Sequence, residues 1–162
     1  RDNDIVSLRV FTSHLEAPDG SGDIVDWIEV VAPAPISQNR EALRRAIAGL
    51  VPLNGTPLYT AVGDAYADAF EEFDPERINA IVVLSDGQNE DLNNSDLDGL
   101  LATLRVGREG NAFPIRVFPI AYGDGADTAT LRSVAESSDA ALYTSRDPAS
   151  IEKVFTQVVS NF

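Results

Sequence analysis

Cysteine and methionine are both absent from the 162 residues, and the chain has one histidine, His14, and one lysine, Lys153. Without cysteine the chain can form no disulfide bond, thiolate nucleophile or zinc–thiolate site. No apolar run approaches the roughly 18 to 20 residues that a membrane-spanning helix needs, and the first residues carry no basic-then-apolar signal pattern. These absences exclude cysteine-dependent chemistry and a membrane-spanning helix within this chain.

Positive charge is also scarce, since 12 basic residues face 26 acidic ones and the net charge is -14. A nucleic-acid-binding surface needs clustered basic side chains to neutralise phosphates, and the sequence has no such cluster. The acidity suits divalent cations or basic partners, and it equally suits a surface whose only role is solubility. Nucleic acid is therefore excluded as a partner, while the other two interpretations stay open.

The residue pattern alternates between strand and helix periods along the chain. Residues 4–12 and 24–31 are rich in β-branched and aromatic residues and flank the Gly-rich segment EAPDGSGD, which predicts an antiparallel hairpin. Apolar residues then recur every three or four positions in two predicted helices, one from Asn39 and one from Leu58. Further strands are predicted at 78–85, 115–121 and 141–144, and further helices at 96–108, 127–137 and from 147 onward.

This order predicts one doubly wound α/β domain over residues 1–162. The predicted sheet is mostly parallel with one antiparallel edge strand, and helices cover both of its faces. The apolar run IVVLS at 81–85 lacks polar alternation, as expected of a strand that is buried on both sides.

Two polar segments follow or precede these elements where a ligand could bind. Asp86 and Gly87 follow the run IVVLS at the carboxyl end of the predicted strand, which is where open α/β sheets bind ligands. Thr56 lies between Gly55 and a proline, directly before the second predicted helix. Each has a simpler structural role, because Asp86 can cap a turn and Thr56 can cap the helix. The residues alone leave both roles open.

The segments NGTPLYTAVGDAYADAF and INAIVVLSDGQNED together closely resemble the von Willebrand factor A family. The likeness extends from RDNDIVSLRVFTS, similar to the family's second strand, to SIEKVFTQVVSNF, similar to its terminal helix. The resemblance implies a metal-ion-dependent adhesion site, in which three loops hold Mg²⁺, Mn²⁺ or Ca²⁺ at the carboxyl rim of the sheet. Thr56 and Asp86 match the ligands of the second and third loops.

The chain departs from the family at its beginning. The family's own first strand, its Asp-x-Ser-x-Ser metal loop and its first helix have no counterpart here. The nearest match is Asp19-Gly20-Ser21-Gly22-Asp23, which follows the wrong strand and is interpreted as a hairpin loop. The family's first strand lies centrally, so its loss would leave inner edges unpaired. We therefore interpret the chain as an N-terminally incomplete domain and expect an upstream segment, or another copy of one, to complete the sheet.

The resemblance implies a non-enzymatic module that binds a protein ligand through an acidic residue of that ligand on the metal. The residues expected to contact the partner around this rim are Ser13, His14, Gly55, Gly87 and Asp124. The chain resembles bacterial and archaeal members of the family, some of which are attached at the cell envelope, so the resemblance implies the cell envelope or the extracellular space as an expectation.

Two alternatives stay open. One is a Mg²⁺-dependent phosphotransfer or phosphatase-like domain, although the sequence has no Gly-rich phosphate loop and only Lys153 as a lysine. The other is a scaffold domain of the family that binds no metal. Hydrolysis by a Ser-His-Asp arrangement would require His14, and no Gly-x-Ser-x-Gly motif accompanies it.

Overall fold

The computed structural model of the protein describes residues 2–51, 53, 55–109 and 113–160. The chain separates into two compact units, residues 1–57 and residues 58–162. The first contains a hairpin and one helix, and the second contains the remaining strands and helices. The interpretation of the whole chain as one domain stays a prediction.

The hairpin of the first unit consists of β1, Ile5–Glu16, and β2, Ile24–Pro35, which pair antiparallel as predicted. Both strands are longer than the sequence pattern indicated. In the connecting loop the Ala17 N–H donates to the Asp23 carbonyl at 2.9 Å, and the Ser21 N–H donates to the Asp19 carboxylate at 2.9 Å. Segment 19–23 is therefore an exposed hairpin loop, as interpreted from the sequence.

Strand β1 carries a bulge near its carboxyl end. The register passes from Phe11 opposite Trp27 to Leu15 opposite Val25, so three residues of β1 face a single residue of β2. His14 absorbs the extra length with a φ of 65°, a left-handed value that is uncommon for a residue with a side chain. The predicted end of this strand at residue 12 is thus wrong, because the pairing resumes beyond the bulge and His14 lies within β1.

Helix α1, Ile36–Ala48, follows β2 directly and packs against the hairpin. It begins before Asn39, where the sequence predicted its start. Asn39 is buried, and its Nδ2 donates to the main-chain carbonyl of Val6 at 2.6 Å. This amide fixes the helix to β1, and it explains why a polar side chain occupies a buried position of α1.

The second unit alternates helices and strands. Its elements in chain order are α2 (Leu58–Glu71), β3 (Asn79–Ser85), α3 (Leu97–Glu109), β4 (Ile115–Tyr122), α4 (Thr128–Ser137), β5 (Tyr143–Ser145) and α5 (Pro148–Ser160). The three strands form a parallel sheet in the order β3-β4-β5, as the alternation predicted. Part of the core lies between β4 and α5, where Phe118 and Ile120 pack with Val154 and Val158.

The described strands form two sheets rather than the single predicted one. Within the described residues β3 pairs only with β4, so β3 is an edge strand. The expectation that the run IVVLS is buried on both sides is wrong for Leu84, which is 47% exposed. The buried strand of this sheet is instead β4, because it has a neighbour on each side.

Aspartate side chains cap three helices of the second unit. Asp96 accepts from the Gly99 N–H at 2.8 Å and Asp127 accepts from the Thr130 N–H at 3.1 Å. Asp147 accepts in the same way from the Ser150 N–H at 3.0 Å. The helices predicted at 96–108, 127–137 and from 147 onward each begin at one of these three aspartates.

A serine completes the hydrogen bonding of β4 where β5 does not reach it. Strand β5 pairs with β4 only from Ile120 onward. Earlier in β4, the Val117 N–H donates to Oγ of Ser138 at 3.0 Å, and Ser138 itself is 4% exposed. A hydroxyl at the end of α4 therefore replaces a strand partner.

Candidate functional site at the carboxyl ends of β3 and β4

The loops that follow β3 and β4 are joined to each other. The Asp127 N–H donates to the Asp86 carbonyl at 2.6 Å. Gly87 has a φ of +82°, and a Cβ at this position would lie 2.7 Å from the Asp127 carbonyl oxygen and 2.8 Å from Cγ of Leu131. Only glycine combines this backbone conformation with such a close approach. Gly87 therefore forms a tight turn that brings the two loops together.

The side chain of Asp86 has a structural role and remains exposed. Its Oδ1 accepts from the Gln88 N–H at 3.2 Å, which is the turn-capping role that the sequence left open. Ser85, which is buried, accepts from the Gly87 N–H at 3.1 Å. Because the Asp86 carboxylate faces solvent at the end of β3, the turn does not prevent it from contacting a ligand.

The segment after this turn caps α2, which sequence analysis did not foresee. Oδ1 of Asn89 accepts from the Tyr59 N–H at 3.1 Å, in the first turn of the helix. Nδ2 of Asn89 donates to the Asn94 carbonyl at 2.7 Å, which closes the segment on itself. Helix α2 begins at Leu58, two residues after Thr56, and the capping role that the sequence left open for Thr56 stays a prediction. The amide-rich sequence QNEDLNN was the available signal.

Asp91 fixes the same segment through a buried carboxylate. Asp91 is 8% exposed, and its Oδ2 accepts from the hydroxyl of Thr60 at 3.1 Å. Its Oδ1 accepts from the Asn93 N–H at 2.7 Å, and the Asn94 amide donates to the same Thr60 hydroxyl at 3.1 Å. These bonds compensate the carboxylate for the loss of water, so its burial has a structural explanation.

Asp127 and Tyr59 are electrostatically coupled within this rim. Hydrogen bonds from the Thr130 hydroxyl and the Thr130 N–H hold the pKa of Asp127 below its usual value. Burial raises the pKa of Tyr59, and the negative charge of Asp127 raises it further. The carboxylate is therefore ionised and the phenol neutral at physiological pH.

The residues predicted for the rim fall into two groups. In the second unit Asp86 and Gly87 are joined to the loop of Asp127, whereas Asp124 is exposed and lies 3.8 Å from the guanidinium of Arg146. An ion pair this exposed contributes little to stability.

The other predicted rim residues belong to the first unit. Gly55 has a φ of +93° and lies directly against the side chain of Ser13, so that a Cβ on Gly55 would collide with it. His14 is exposed and Thr56 is half-buried. Asn54, the first residue of the motif containing Thr56, lies outside the described residues.

The described residues do not form a metal site by themselves. Across the described ranges no group of three or more histidine, aspartate or glutamate side chains is arranged to hold a metal ion. Asp86 and Thr56 carry the hard oxygen donors that Mg²⁺ prefers, but two such residues are fewer than a protein site for this ion requires without water or further ligands. The donor chemistry fits a divalent cation, and the number of donors falls short.

None of the helices in the described part of the chain combines the length and apolar character needed to cross a membrane.

Comparison with known proteins identifies the family. The sequence profile of the von Willebrand factor type A domain matches residues 21–157. A von Willebrand factor type A protein from Catenulispora acidiphila is 20% identical with a TM-score of 0.70, over 97% of this chain and 33% of that one. The chain thus spans about a third of that structure. No curated protein matches the chain significantly.

Two structures from Bacteroides have the same fold. BatB, a conserved hypothetical protein from Bacteroides thetaiotaomicron, is 17% identical with a TM-score of 0.63, over 99% of this chain and 80% of that one. An aerotolerance-related membrane protein from Bacteroides fragilis NCTC 9343 is 17% identical with a TM-score of 0.64, over 100% of this chain and 82% of that one. The family profile covers most of the sequence, and the chain belongs to the von Willebrand factor type A domain family.

Proposed function

We propose that this domain is a non-enzymatic module that binds a protein ligand at the carboxyl ends of β3 and β4. Membership of the family supports a protein-interaction module in general terms. The observation that carries the proposal is the exposed Asp86 carboxylate, held on a turn that the Asp127 N–H joins to the neighbouring loop. A ligand would meet a fixed acidic group there rather than a mobile one.

The same proposal assigns Thr56 and Asp86 as ligands of a divalent cation, Mg²⁺ with Mn²⁺ or Ca²⁺ as substitutes. The ion, when bound, would offer an open coordination position to a carboxylate of the protein ligand. The remaining donors would come from water or from residues outside the described ranges. The hard oxygen atoms of both side chains and the net charge of -14 support this assignment.

We further propose that another segment of the same protein, or of a second copy, pairs with the outer edge of β3. In the described residues this edge has no strand partner, and Leu84 on β3 is 47% exposed. An apolar edge strand of this kind pairs readily with an added strand.

The metal assignment is tested by thermal unfolding of the complete protein in EDTA and then in excess Mg²⁺, Mn²⁺ or Ca²⁺. Metal at about 100 times its dissociation constant should stabilise the fold by about 2.7 kcal/mol. Replacing Asp86 or Thr56 by alanine should abolish the shift. Asp124→Ala is the matched control, because Asp124 is also an exposed carboxylate after a strand of this sheet, and it should keep the full shift.

The outcomes separate the alternatives. An equal metal-induced shift in wild type and in Asp86→Ala would refute the metal assignment. No shift in a folded wild-type protein would support the scaffold without metal. Metal-dependent hydrolysis of small phosphate esters that disappears in Asp86→Ala would support the enzymatic alternative instead.

Strand addition is tested separately by hydrogen exchange of the β3 amides. We compare the 162-residue chain with the complete protein, where a paired outer edge should slow exchange within residues 79–85. The amides of Ile120 and Ala121 are the internal control, because these two residues of β4 already pair with both β3 and β5. Equal exchange of β3 amides in both proteins, with both monomeric, would refute the added strand.

A further inference from the structure

Leu92, in the loop after β3, is 101% exposed. No other large apolar side chain among the described residues is as exposed. Single exposed apolar residues are common on protein surfaces, so exposure alone does not indicate a partner. The surroundings of Leu92 supply the further evidence.

The backbone on both sides of Leu92 is held in place. Asp91 precedes it and is bonded through Oδ2 to the Thr60 hydroxyl at 3.1 Å. Asn94 follows two residues later and donates to that same hydroxyl at 3.1 Å. Asn89 bonds both to α2 and to the Asn94 carbonyl. Leu92 is thus presented on a segment anchored to a helix, and a partner that covers it orders little additional backbone.

The charge around Leu92 restricts the class of partner. Residues 86–98 contain no lysine or arginine and five carboxylates, namely Asp86, Glu90, Asp91, Asp96 and Asp98. All of these except Asp91 are exposed. Such a segment repels phosphate groups of nucleic acids and anionic lipids, and it attracts basic side chains.

We propose that Leu92 inserts into an apolar pocket of the protein ligand, and that lysine or arginine side chains around this pocket face Glu90 and Asp96. This inference rests on the proposed function, since it concerns the ligand of the same rim. It adds that the ligand presents a concave apolar surface with a basic border, in addition to any acidic residue that reaches a metal.

The first experiment is site-specific photocrosslinking of the complete protein in cells of the organism that produces it. In one variant an amino acid with a benzophenone side chain replaces Leu92. In a second variant it replaces Gln88, which is exposed and lies in the same rim. The matched control replaces Val106, which is 71% exposed and lies in the last turns of α3. The Leu92 and Gln88 variants should capture the same protein, and the Val106 variant should not.

The other outcomes separate the two proposals. Capture from Gln88 but not from Leu92 would overturn the role of Leu92 and leave binding at the rim intact. Capture from neither position would contradict both.

The second experiment measures the affinity of the captured and purified protein. Leu92→Ala should weaken binding about tenfold, because a buried leucine anchor is replaced by a methyl group. Leu92→Met should stay within about twofold of wild type, since both side chains fill an apolar pocket. Val106→Ala should have no effect, and the melting temperature should be the same in all variants.

The salt dependence of the affinity tests the basic border separately from the apolar pocket. Raising the salt concentration should weaken wild-type binding, and Glu90→Gln should reduce this dependence. Unchanged affinity in Leu92→Ala would overturn the pocket, and affinity insensitive to salt would overturn its basic border. Binding of the purified protein to neutral phosphatidylcholine vesicles that is lost in Leu92→Ala would overturn a protein pocket in favour of lipid.

Discussion

The side-chain oxygen of Asn89 accepts a hydrogen bond from the main-chain N–H of Tyr59, 30 residues earlier in the chain, at 3.1 Å, so the loop after β3 caps the first turn of α2. This bond, with the Asn89 amide on the Asn94 carbonyl, makes the geometry of the rim loop depend on α2.

Replacing Asn89 by alanine should therefore destabilise the domain by about 1 to 2 kcal/mol, because a helix N–H and a loop carbonyl lose their partner. Asn93→Ala is the matched control, since Asn93 is an exposed residue of the same type in the same loop, and it should change stability by less than about 0.5 kcal/mol. Urea unfolding measures both. Equal stability of the two variants would contradict a capping role for Asn89.

Gly87→Ala should destabilise more than Gly123→Ala. Both glycines have a left-handed backbone, with φ of +82° and +88°, so alanine introduces backbone strain of about 1 to 2 kcal/mol at either position. Only at Gly87 would the new Cβ also meet protein atoms, 2.7 Å from the Asp127 carbonyl oxygen, while at Gly123 nothing lies within 4 Å. Urea unfolding should give a further cost of at least about 1 kcal/mol for Gly87→Ala. The same cost at both positions would indicate that the two loops do not touch.

The stability of the folded protein should depend on pH through the ionisation of Asp127. Its pKa is lowered in the folded state by the Thr130 hydroxyl and N–H, so its stabilising effect is complete above the usual carboxyl pKa of about 4. The effect is lost as the pH falls through the lower folded-state pKa. Melting temperatures of wild type and Thr130→Ala should therefore differ most above about pH 4 and converge in more acidic solution.

Thr130→Ser is the control for this prediction, because it keeps the hydroxyl and should follow the wild-type curve. A difference between wild type and Thr130→Ala that stays constant from neutral to strongly acidic pH would attribute the effect to packing rather than to the carboxylate.

Gly55 and Ser13 should behave as a coupled pair. Gly55→Ala places a methyl group against the Ser13 side chain at a φ of +93°, so it should destabilise the protein by about 2 kcal/mol or more. Adding Ser13→Gly should recover the part of this cost that comes from the collision, about 1 kcal/mol in a double-mutant cycle. Gly22→Ala is the control, because its φ of +82° is similar and nothing lies within 4 Å of its Cβ position. Additive effects of the Gly55 and Ser13 changes would contradict the contact.

The order of elements could be predicted from the sequence because each element carries a local signal. Alternation, three- and four-residue spacing and Asp-Pro at the start of α5 depend only on neighbouring residues. The carboxyl end of β1 was less predictable. Its pairing continues past a bulge at His14, and polar residues such as Ser13 and His14 there look like the start of a loop.

The candidate site was only partly predictable for a different reason. Gly87 and Asp86 follow an apolar strand, so their position at its carboxyl end can be read locally. The role of Asn89 cannot, because its partner Tyr59 is distant in sequence and the amide–backbone bond leaves no periodic pattern. The exposure of Leu84 escaped prediction as well, because an apolar strand has the same composition at the centre of a sheet and at its edge.

The hydroxyl of Ser138 has a consequence for how chain length can vary. It accepts a hydrogen bond from the Val117 N–H in the part of β4 that β5 does not reach, so this part of β4 does not require residues 139–142 as a strand partner. Ala140 is still held by α4, since its N–H donates to the Ala135 carbonyl at 2.9 Å, so residues 141–142 are the spacer between this point and the first residue of β5. We expect insertion of one glycine between Ala141 and Leu142 to shift the melting temperature less than Ser138→Ala does. Insertions and deletions among relatives should then accumulate in this spacer, while the position of Ser138 relative to β4 stays constant.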